Sequence, residues 1–578
     1  MLPSLSVAQV EVVSVDPPQN ALSVPRNAPL EATFNMALNE NTVVDTNVVV
    51  FAERTGMHFG TLSYDAASKT LTFDPERDFQ AGERVTVTLT NKIKGLSGEN
   101  FPGFSWHFTV QTFAADKFDF VFRGEVAAGG TIHLDAADFN NDGYPDLIAA
   151  DDIFDEVFFY LNDTHGGFYF VKSLLKVKSG ISPITHIADF NKDGLTDILV
   201  DGPNIFLINL GNANFAPHEA DSLIDSFSDN MVADFDNDGN LDFVATPVPG
   251  DSLRIYKGLG GTSRRFQRYL PLPARDRITT PNEEIFDLNN DGQLDLIVKM
   301  LPYDRDSLAV YMNAKNLVFT LDRIYDPRLG FSFNQEYTND INNDGYLDHV
   351  VMGTPRSENS RFLMLNDRSG GFVFSDYIPP QFRATYVNGG DFDGDGDIDL
   401  ILGWTKALNA MPLITEGHIM ILRNEGNQEF VVDREFTIGE GVKRPMFLDM
   451  DNDGDLDILG IKKGNNIFWM ENTLATTVEN TTESELIKGF QLMQNYPNPF
   501  NSSTQINYAV AQQAEVQIRV YDITGKEVKT LVNQTQVQGR YQIRWDGLNN
   551  LGKEVSSGIY FILMKIGNSK AVNRAVLL

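Results

Sequence analysis

The feature that most constrains this chain is a nine-residue loop, Asp391-Phe-Asp393-Gly-Asp395-Gly-Asp397-Ile-Asp399, that returns six more times. Carboxylates stand at positions 1, 3, 5 and 9, and Gly396 holds position 6, where the backbone turns sharply and a Cβ is penalised. Hard cations such as Ca²⁺ take six to eight oxygens at close range, and acidic side chains on alternate residues of a tight turn supply them. Position 7 would ligate through its carbonyl, which leaves its side chain unconstrained. The predicted ligands are Asp138, Asn140, Asp142, Tyr144 and Asp146 in the first loop, and Asp189, Asn191, Asp193, Leu195 and Asp197 in the second. The third has Asp234, Asp236, Asp238, Asn240 and Asp242; the fourth Asp287, Asn289, Asp291, Gln293 and Asp295. The fifth has Asp340, Asn342, Asp344, Tyr346 and Asp348, and the sixth Asp391, Asp393, Asp395, Asp397 and Asp399. The seventh has Asp449, Asp451, Asp453, Asp455 and Asp457. Up to seven Ca²⁺ ions are the expected cofactors, bound most tightly by the loops with Asp at position 3.

An EF-hand shares the first six positions but needs Glu at position 12 and flanking helices. Position 12 here is Ala149, Val200, Ala245, Val298, Val351, Leu402 or Gly460. Short β-rich runs follow instead, such as Leu147-Ile-Ala-Ala and Leu296-Ile-Val. These are strand-to-strand loops.

The net charge of −33 has the same origin: 24 carboxylates occupy positions 1, 3, 5 and 9, and setting them aside leaves −9. No basic patch of nucleic-acid type is evident. The chain has no cysteine, which excludes thiol catalysis and disulfide staples. No apolar run reaches the length of a membrane-spanning helix. Residues 1–9 include Ser6-Val7-Ala8, the small residues expected before a signal-peptidase cut, and read as the remnant of a signal peptide.

Residues 10–112 alternate as β-strands, among them Leu30-Glu-Ala-Thr-Phe34 and Arg84-Val-Thr-Val-Thr-Leu89, with turn residues at sandwich intervals. Val24-Pro-Arg-Asn-Ala-Pro-Leu and the closing Gly95-Leu-Ser-Gly-Glu-Asn resemble the bacterial Ig-like domain of S-layer and surface proteins. That resemblance implies a spacer with no site of its own.

Over 116–473 the loops begin at 138, 189, 234, 287, 340, 391 and 449, which leaves room for four strands in each interval. Four-stranded units at such a period read as propeller blades. The loops and their strands resemble the FG-GAP/VCBS repeat family, whose relatives include the integrin α-subunit head. The seventh unit runs to Asn466-Ile-Phe-Trp-Met-Glu-Asn472 and lacks a fourth strand, while Phe118–Val126 precedes the first loop without a partner. That orphan strand is predicted to complete the seventh unit.

Residues 474–488 are linker-like in composition. In 489–578, Asn495-Tyr-Pro-Asn-Pro-Phe-Asn, Val520-Tyr-Asp-Ile-Thr-Gly-Lys and Ser557-Gly-Ile-Tyr-Phe resemble the type A C-terminal sorting domain of the type IX secretion system of Bacteroidota. Ser502 stands where that family usually has Pro, and Arg574 where Lys is common. The resemblance implies a partner in the type IX machinery, Sec-dependent export, and a secreted or outer-surface location. The predicted fold class is all-β: an Ig-like sandwich, a seven-bladed calcium propeller and a C-terminal β-sandwich.

No HExxH, GxSxG or phosphate-loop pattern occurs. Of the eight histidines, His133 and His186 read as satisfied core residues near inner strands. The segments on the face away from the loops, including Lys299–Leu308 and Gly403–His418, read as long irregular loops. They carry Arg275, Arg277, Tyr303, Arg305, Arg328, Arg356, Trp404 and Lys406, basic and aromatic groups suited to a glycan or protein ligand. The sequence therefore reads as a calcium-binding surface recognition module without enzymatic activity. A polysaccharide lyase or hydrolase on the same scaffold, or a structural envelope component, are the alternatives.

Overall fold

The computed structural model describes residues 9–113, 118–127, 131–151, 156–176, 185–200, 205–219, 227–247, 253–260, 266–271, 278–280, 285–300, 307–325, 332–354, 361–375, 384–410, 413–426, 429–462, 466–474, 491–492, 504–510, 514–522, 526–536, 539–550, 553, 555–566 and 569–577. The chain divides into two compact units, 1–476 and 477–578. Among the described residues the only helical turns are Glu40–Thr42 and Asp45–Asn47, and no helix is long and apolar enough to cross a membrane. All else that is regular is β.

Residues 10–112 form two four-stranded sheets. Alternation fixes their faces: Leu30, Ala32 and Phe34 point inward from one, and Val85, Val87 and Leu89 from the other, onto a shared core with Trp106 and Phe108.

Seven further sheets follow, each paced by one acidic loop. In the first unit Thr131–Ala137, Asp146–Asp151, Glu156–Asn162 and Phe168–Lys176 pair in chain order, with the loop between the first two. Every residue of Asp146–Asp151 is buried, because the second strand has apolar neighbours on both faces. Phe168–Lys176, at the outer edge, is mostly exposed. Unit 4 has five strands, since both Ile278–Thr280 and Ile285–Phe286 pair with Asp295–Met300. The orphan strand behaves as expected: Phe118–Ala127 pairs with Asn466–Leu474 as the fourth strand of unit 7.

Each apolar core in this region is shared by two sheets. Phe139 and Phe159 of unit 1 pack with Ile198 and Leu207 of unit 2. The same pairing recurs between successive units through 6 and 7. The series then returns on itself, for Leu134, Tyr160 and Phe168 of unit 1 share a core with Leu459, Ile467 and Trp469 of unit 7.

In the segment 477–578, a three-stranded sheet including Thr504–Val510 and Gly539–Trp545 contributes Ile506, Tyr508 and Trp545 to one core. A four-stranded sheet including Ala514–Asp522 and Gly558–Ile566 adds Val516, Ile518, Ile562 and Met564.

Removing Phe118–Ala127 leaves the edge of Asn466–Leu474 unpaired and uncovers Trp469. Exposed edges of this kind template association. The deletion variant is expected to aggregate on size-exclusion chromatography with light scattering; a monomer with an unchanged melting curve would refute the role given to this strand.

Candidate functional site

The acidic loops are built by backbone groups that close on carboxylates. In loop 1, Asp138 accepts from the N–H of Asp142 at 3.0 Å and of Gly143 at 2.9 Å, and Asp142 accepts from Tyr144 N–H at 3.0 Å. Position 9 is held from two sides in six of the seven loops; in loop 1 only Asn162 N–H reaches Asp146, at 3.0 Å. Asp399 accepts from Phe392 N–H at 3.1 Å and from Asn424 N–H at 2.8 Å, and Asp295 from Leu288 at 3.0 Å and Asn313 at 2.8 Å. The backbone is left-handed at two places per loop. Position 6 is glycine throughout, with φ 94° at Gly396, and position 4 is Asn in five loops, as at Asn141 with φ 59°. Asn tolerates this region better than other non-glycine residues, so position 4 is a signal that the spacing of acids alone does not show.

The carboxylates of a loop converge. Asp234, Asp236 and Asp242 offer oxygens within 4.8 Å of one another, as do Asp391, Asp393 and Asp399, and Asp449, Asp451 and Asp453. These three groups are the loops with Asp at position 3, and each could hold a metal ion. Burial, and after it the charge of Asp142, pushes the Asp138 carboxyl up to about 7. Burial, then Asp291, raises Asp287 to about 8. Burial also raises Asp348 to about 8 and Asp197 to about 7.

Two details depart from the sequence reading. Position 7 is not always free: Asp455 is 1% exposed, with both carboxylate oxygens buried and without a hydrogen-bond partner. Burial and the neighbouring Asp453 and Asp451 push its carboxyl up. In loop 3, expected among the tightest, the Lys257 ammonium already lies against Asp236 and, at 2.7 Å, against Asp238.

A geometry that recurs in five of the seven units ties a loop to its neighbour; in unit 7 the equivalent Asn472 amide is buried without a partner. Asn162 Nδ2 donates to the Pro145 carbonyl of its own loop at 3.0 Å and to the Met450 carbonyl of loop 7 at 2.8 Å. Asn209, Asn313, Asn366 and Asn424 do the same toward the loop of the preceding unit, through Phe139, Phe235, Leu288 and Ile341. Unit 3 has Gly258 at this place, where a Cβ would meet the Leu241 carbonyl at 2.2 Å.

The Ig-like domain does not stand off as a spacer. It lies across all seven loops. Asp138 N–H donates to the Arg54 carbonyl at 2.7 Å, and Phe59 packs over Gly194 of loop 2. Asn91 N–H meets the Asn237 carbonyl at 2.7 Å, Ser105 N–H the Gly292 carbonyl at 3.1 Å, and Asn20 Nδ2 the Gly345 carbonyl at 2.9 Å. Ser23 Oγ donates to Asp391 Oδ2 at 3.1 Å, and Gln80 Nε2 to the Asp449 carbonyl at 2.7 Å. These are single side chains and main-chain groups scattered over loops and one strand, which carry no sequence pattern.

Of the predicted ligand-binding residues, Arg275, Arg277, Tyr303, Arg305, Arg328 and Arg356 lie outside the described residues. Trp404 and Lys406 sit on a strand, not on the irregular loop expected over 403–418: Asp399–Ala410 and Leu413–Asn424 continue as one hairpin. The Trp404 ring stacks on His418, 5.0 Å between centroids, so one of its faces is taken. His133 and His186 lie on first strands as expected; His133 is buried and satisfied by Asp135 and Arg444, and it also lines a cavity.

Three family models match separate parts of the chain. Residues 6–110 match a bacterial Ig-like domain, and 138–200, 189–245, 234–298 and 340–402 match an FG-GAP-like repeat. Residues 498–570 match the FlgD Ig-like domain. No curated protein matches. Among solved structures, BBS1N in complex with ARL6DN is 11% identical, with 62% of this chain and 98% of that one covered and a TM-score of 0.41. PorZ, a surface component of the type IX secretion system of Porphyromonas gingivalis, is 9% identical over 97% of this chain and 98% of its own, with a TM-score of 0.19. The biofilm matrix protein Bap1 of V. cholerae is 12% identical over 98% and 84%, with a TM-score of 0.22.

The raised carboxyls fix the sign of a pH effect. Unfolded aspartates titrate near 4, whereas Asp138, Asp197, Asp287 and Asp348 are held at about 7 to 8 in the folded chain. The metal-free fold therefore binds more protons than the unfolded chain between about pH 4 and 8, and loses stability as pH rises through that window. Thermal melts in EDTA are expected to show a lower Tm at pH 8 than at pH 5.5; a flat profile would contradict the electrostatics described.

Proposed function

We propose that the chain is an exported, calcium-stapled recognition scaffold of the cell surface, a seven-bladed propeller capped by its Ig-like domain and delivered by its C-terminal domain. The supporting observation is the set of buried, mutually repelling carboxylates in loops that Ca²⁺ suits by charge, oxygen chemistry and turn geometry. Bound calcium supplies the positive charge that these side chains lack, and the loops then hold the blades and the cap in register. At about ten times Kd each independent site adds ~1.4 kcal/mol. The cyclic sharing of cores supports the propeller reading, and the matched FG-GAP-like and Ig-like models support a binding module over an enzyme. Residues 489–578 are assigned to passage through the type IX machinery on their sequence resemblance.

The loops starting at Asp391 and Asp449 should bind most tightly, and loop 3 more weakly because Lys257 competes. Calcium titration by calorimetry is expected to show a tighter third site in Lys257→Ala and the loss of one site in Asp391→Asn/Asp393→Asn. An unchanged Tm on adding calcium after EDTA would defeat the metal assignment. Glycan and protein arrays probed with the full chain, with and without calcium, test recognition: saturable calcium-dependent binding is expected, and product release from a polysaccharide would show an enzyme instead. Removal of 489–578 should leave the protein inside the cell envelope, read by surface protease accessibility.

A further inference from the structure

Loops 6 and 7 are the two with aspartate at all of positions 1, 3, 5, 7 and 9. The position-7 aspartate meets different surroundings in each. In loop 6 Asp397 is half-buried, and the Asn343 amide donates to one of its oxygens. In loop 7 Asp455 is 1% exposed, and neither of its oxygens has a donor. Asp451 Oδ1 is buried and unpartnered as well. Among the described residues no lysine or arginine forms an ion pair with any of the five loop-7 carboxylates. Arg26, whose charge reaches Asp449, spends its hydrogen bonds on the Phe79 carbonyl and Asn452 Oδ1.

The neighbours of loop 7 account for the contrast. The cap closes on it, with Phe113 N–H on the Gly454 carbonyl at 2.8 Å and the Phe113 ring against Gly454. In unit 6 the third strand ends at Asn424, and the chain turns at Gly426 beside Asp397. In unit 7 that strand runs on to Leu474, paired with Phe118. Its side chains differ too. Gly258 N–H holds Asp242 and Asn472 N–H holds Asp457, each at 2.7 Å, so the preceding residues Lys257 and Glu471 are equivalent. Lys257 carries a cation of its own to positions 3 and 5 of loop 3. Glu471 brings a further negative charge instead, and its partner is Arg123 at 2.5 Å.

Asp449, Asp451 and Asp453 offer oxygens within 4.8 Å of one another. Asp455 stands outside that group and meets it through Asp453, whose carboxylate is in hydrogen-bond reach of both Asp451 and Asp455. Buried oxygens without donors also mark the expected ligands of a first ion. Asp391 Oδ1 is one, its partner oxygen being taken by Gly396 N–H and Ser23 Oγ, each at 3.1 Å. Ca²⁺ lies ~2.3–2.6 Å from its oxygens, closer than a hydrogen-bonded water, so oxygens sealed from water still reach it. Charge gives the count. Loops 1, 2, 4 and 5 have three aspartates at these positions, and one divalent ion leaves each a single negative charge. In loop 7 one ion leaves three, and burial makes every unanswered charge costly.

We propose that loop 7 holds two calcium ions, the first in the position common to the loops and the second on Asp451, Asp453 and Asp455, with Asp453 bridging the pair. Paired cations of this kind stand ~3.5–4 Å apart, and the second restores the charge balance of the three-aspartate loops. The inference rests on the calcium reading of the loops and adds to it one ion and its ligands.

The test counts calcium bound to the full chain by equilibrium dialysis and elemental analysis, at ~5 mM free calcium, above the ~10⁻⁴–10⁻³ M range of extracellular sites. Asp449→Asn/Asp451→Asn is expected to lose two ions relative to the parent, and the matched Asp391→Asn/Asp393→Asn in loop 6 to lose one. Asp455→Asn, nearly isosteric, is expected to lose one ion and keep the parent's circular dichroism. If the loop-7 double variant misfolds, Asp455→Asn decides. A single ion lost from the loop-7 double variant, or none from Asp455→Asn, would overturn the second ion. Two ions lost from loop 6 would overturn the distinction drawn on the burial of Asp455. No ion lost from either double variant would overturn the calcium reading of the loops themselves, so the count tells the two failures apart.

Discussion

The seven-sheet region depends on one recurrent interaction, the grip of backbone N–H groups on the position-9 aspartate. Asp399 illustrates it: one oxygen takes the N–H of the loop's second residue, the other the N–H of Asn424 at the end of the third strand. The first contact closes the loop and the second fixes the loop to the sheet. Asn424 then reaches the Ile341 carbonyl in the previous loop. One carboxylate thus couples turn, sheet and neighbouring sheet, and it does so while burial holds its pKa well above the usual carboxylate range. A buried carboxylate survives only where hydrogen bonds or a cation answer it.

The cap adds a second layer of dependence. Its contacts fall on loop backbones and on carboxylates in ligand positions, such as Asp391 through Ser23 and Asp287 through Gln19 at 3.4 Å. A loop that changes shape must therefore disturb the cap, and a cap that lifts removes partners from the loop. The cavity that His133 lines exists because the cap spans the first strands of the units without filling the space above them.

What the sequence made legible follows from how narrowly each feature is specified. Metal-type loops demand given side chains at given positions, so all seven were readable, as was the orphan strand Phe118–Ala127 from its missing partner. The paired buried strands were readable from their length and apolar runs. The cap was not. Asn20, Ser23, Gln80 and Asn91 are ordinary turn residues, and only the fold brings them to the loops. The segment 403–418 misled because Pro412 and mixed polarity interrupt the alternation, although Thr415, Gly417 and His418 still pair across to Trp404 and its neighbours. Lys257 escaped notice because a lysine 19 residues after Asp238 has no fixed relation to it until the strands are paired. Asn162 and its counterparts were visible as letters, but their bridging role depends on the order in which sheets sit side by side.

The pairing of Phe118–Ala127 with Asn466–Leu474 sets the mechanics of the molecule. Phe118 lies opposite Leu474, so the chain enters and leaves this region at the same end of one strand pair. Tension applied at those two points would separate the ladder rung by rung, the geometry of a zipper, in which each hydrogen bond is loaded alone. Shear, which loads them together, is not available there. The grip of residues 10–113 on the seven loops alters the path of that force. A pull on the N-terminal domain is first shared among many contacts spread over the loop face, and reaches Phe118 only after they yield. The cap is in this sense a strain relief for this seam of the fold.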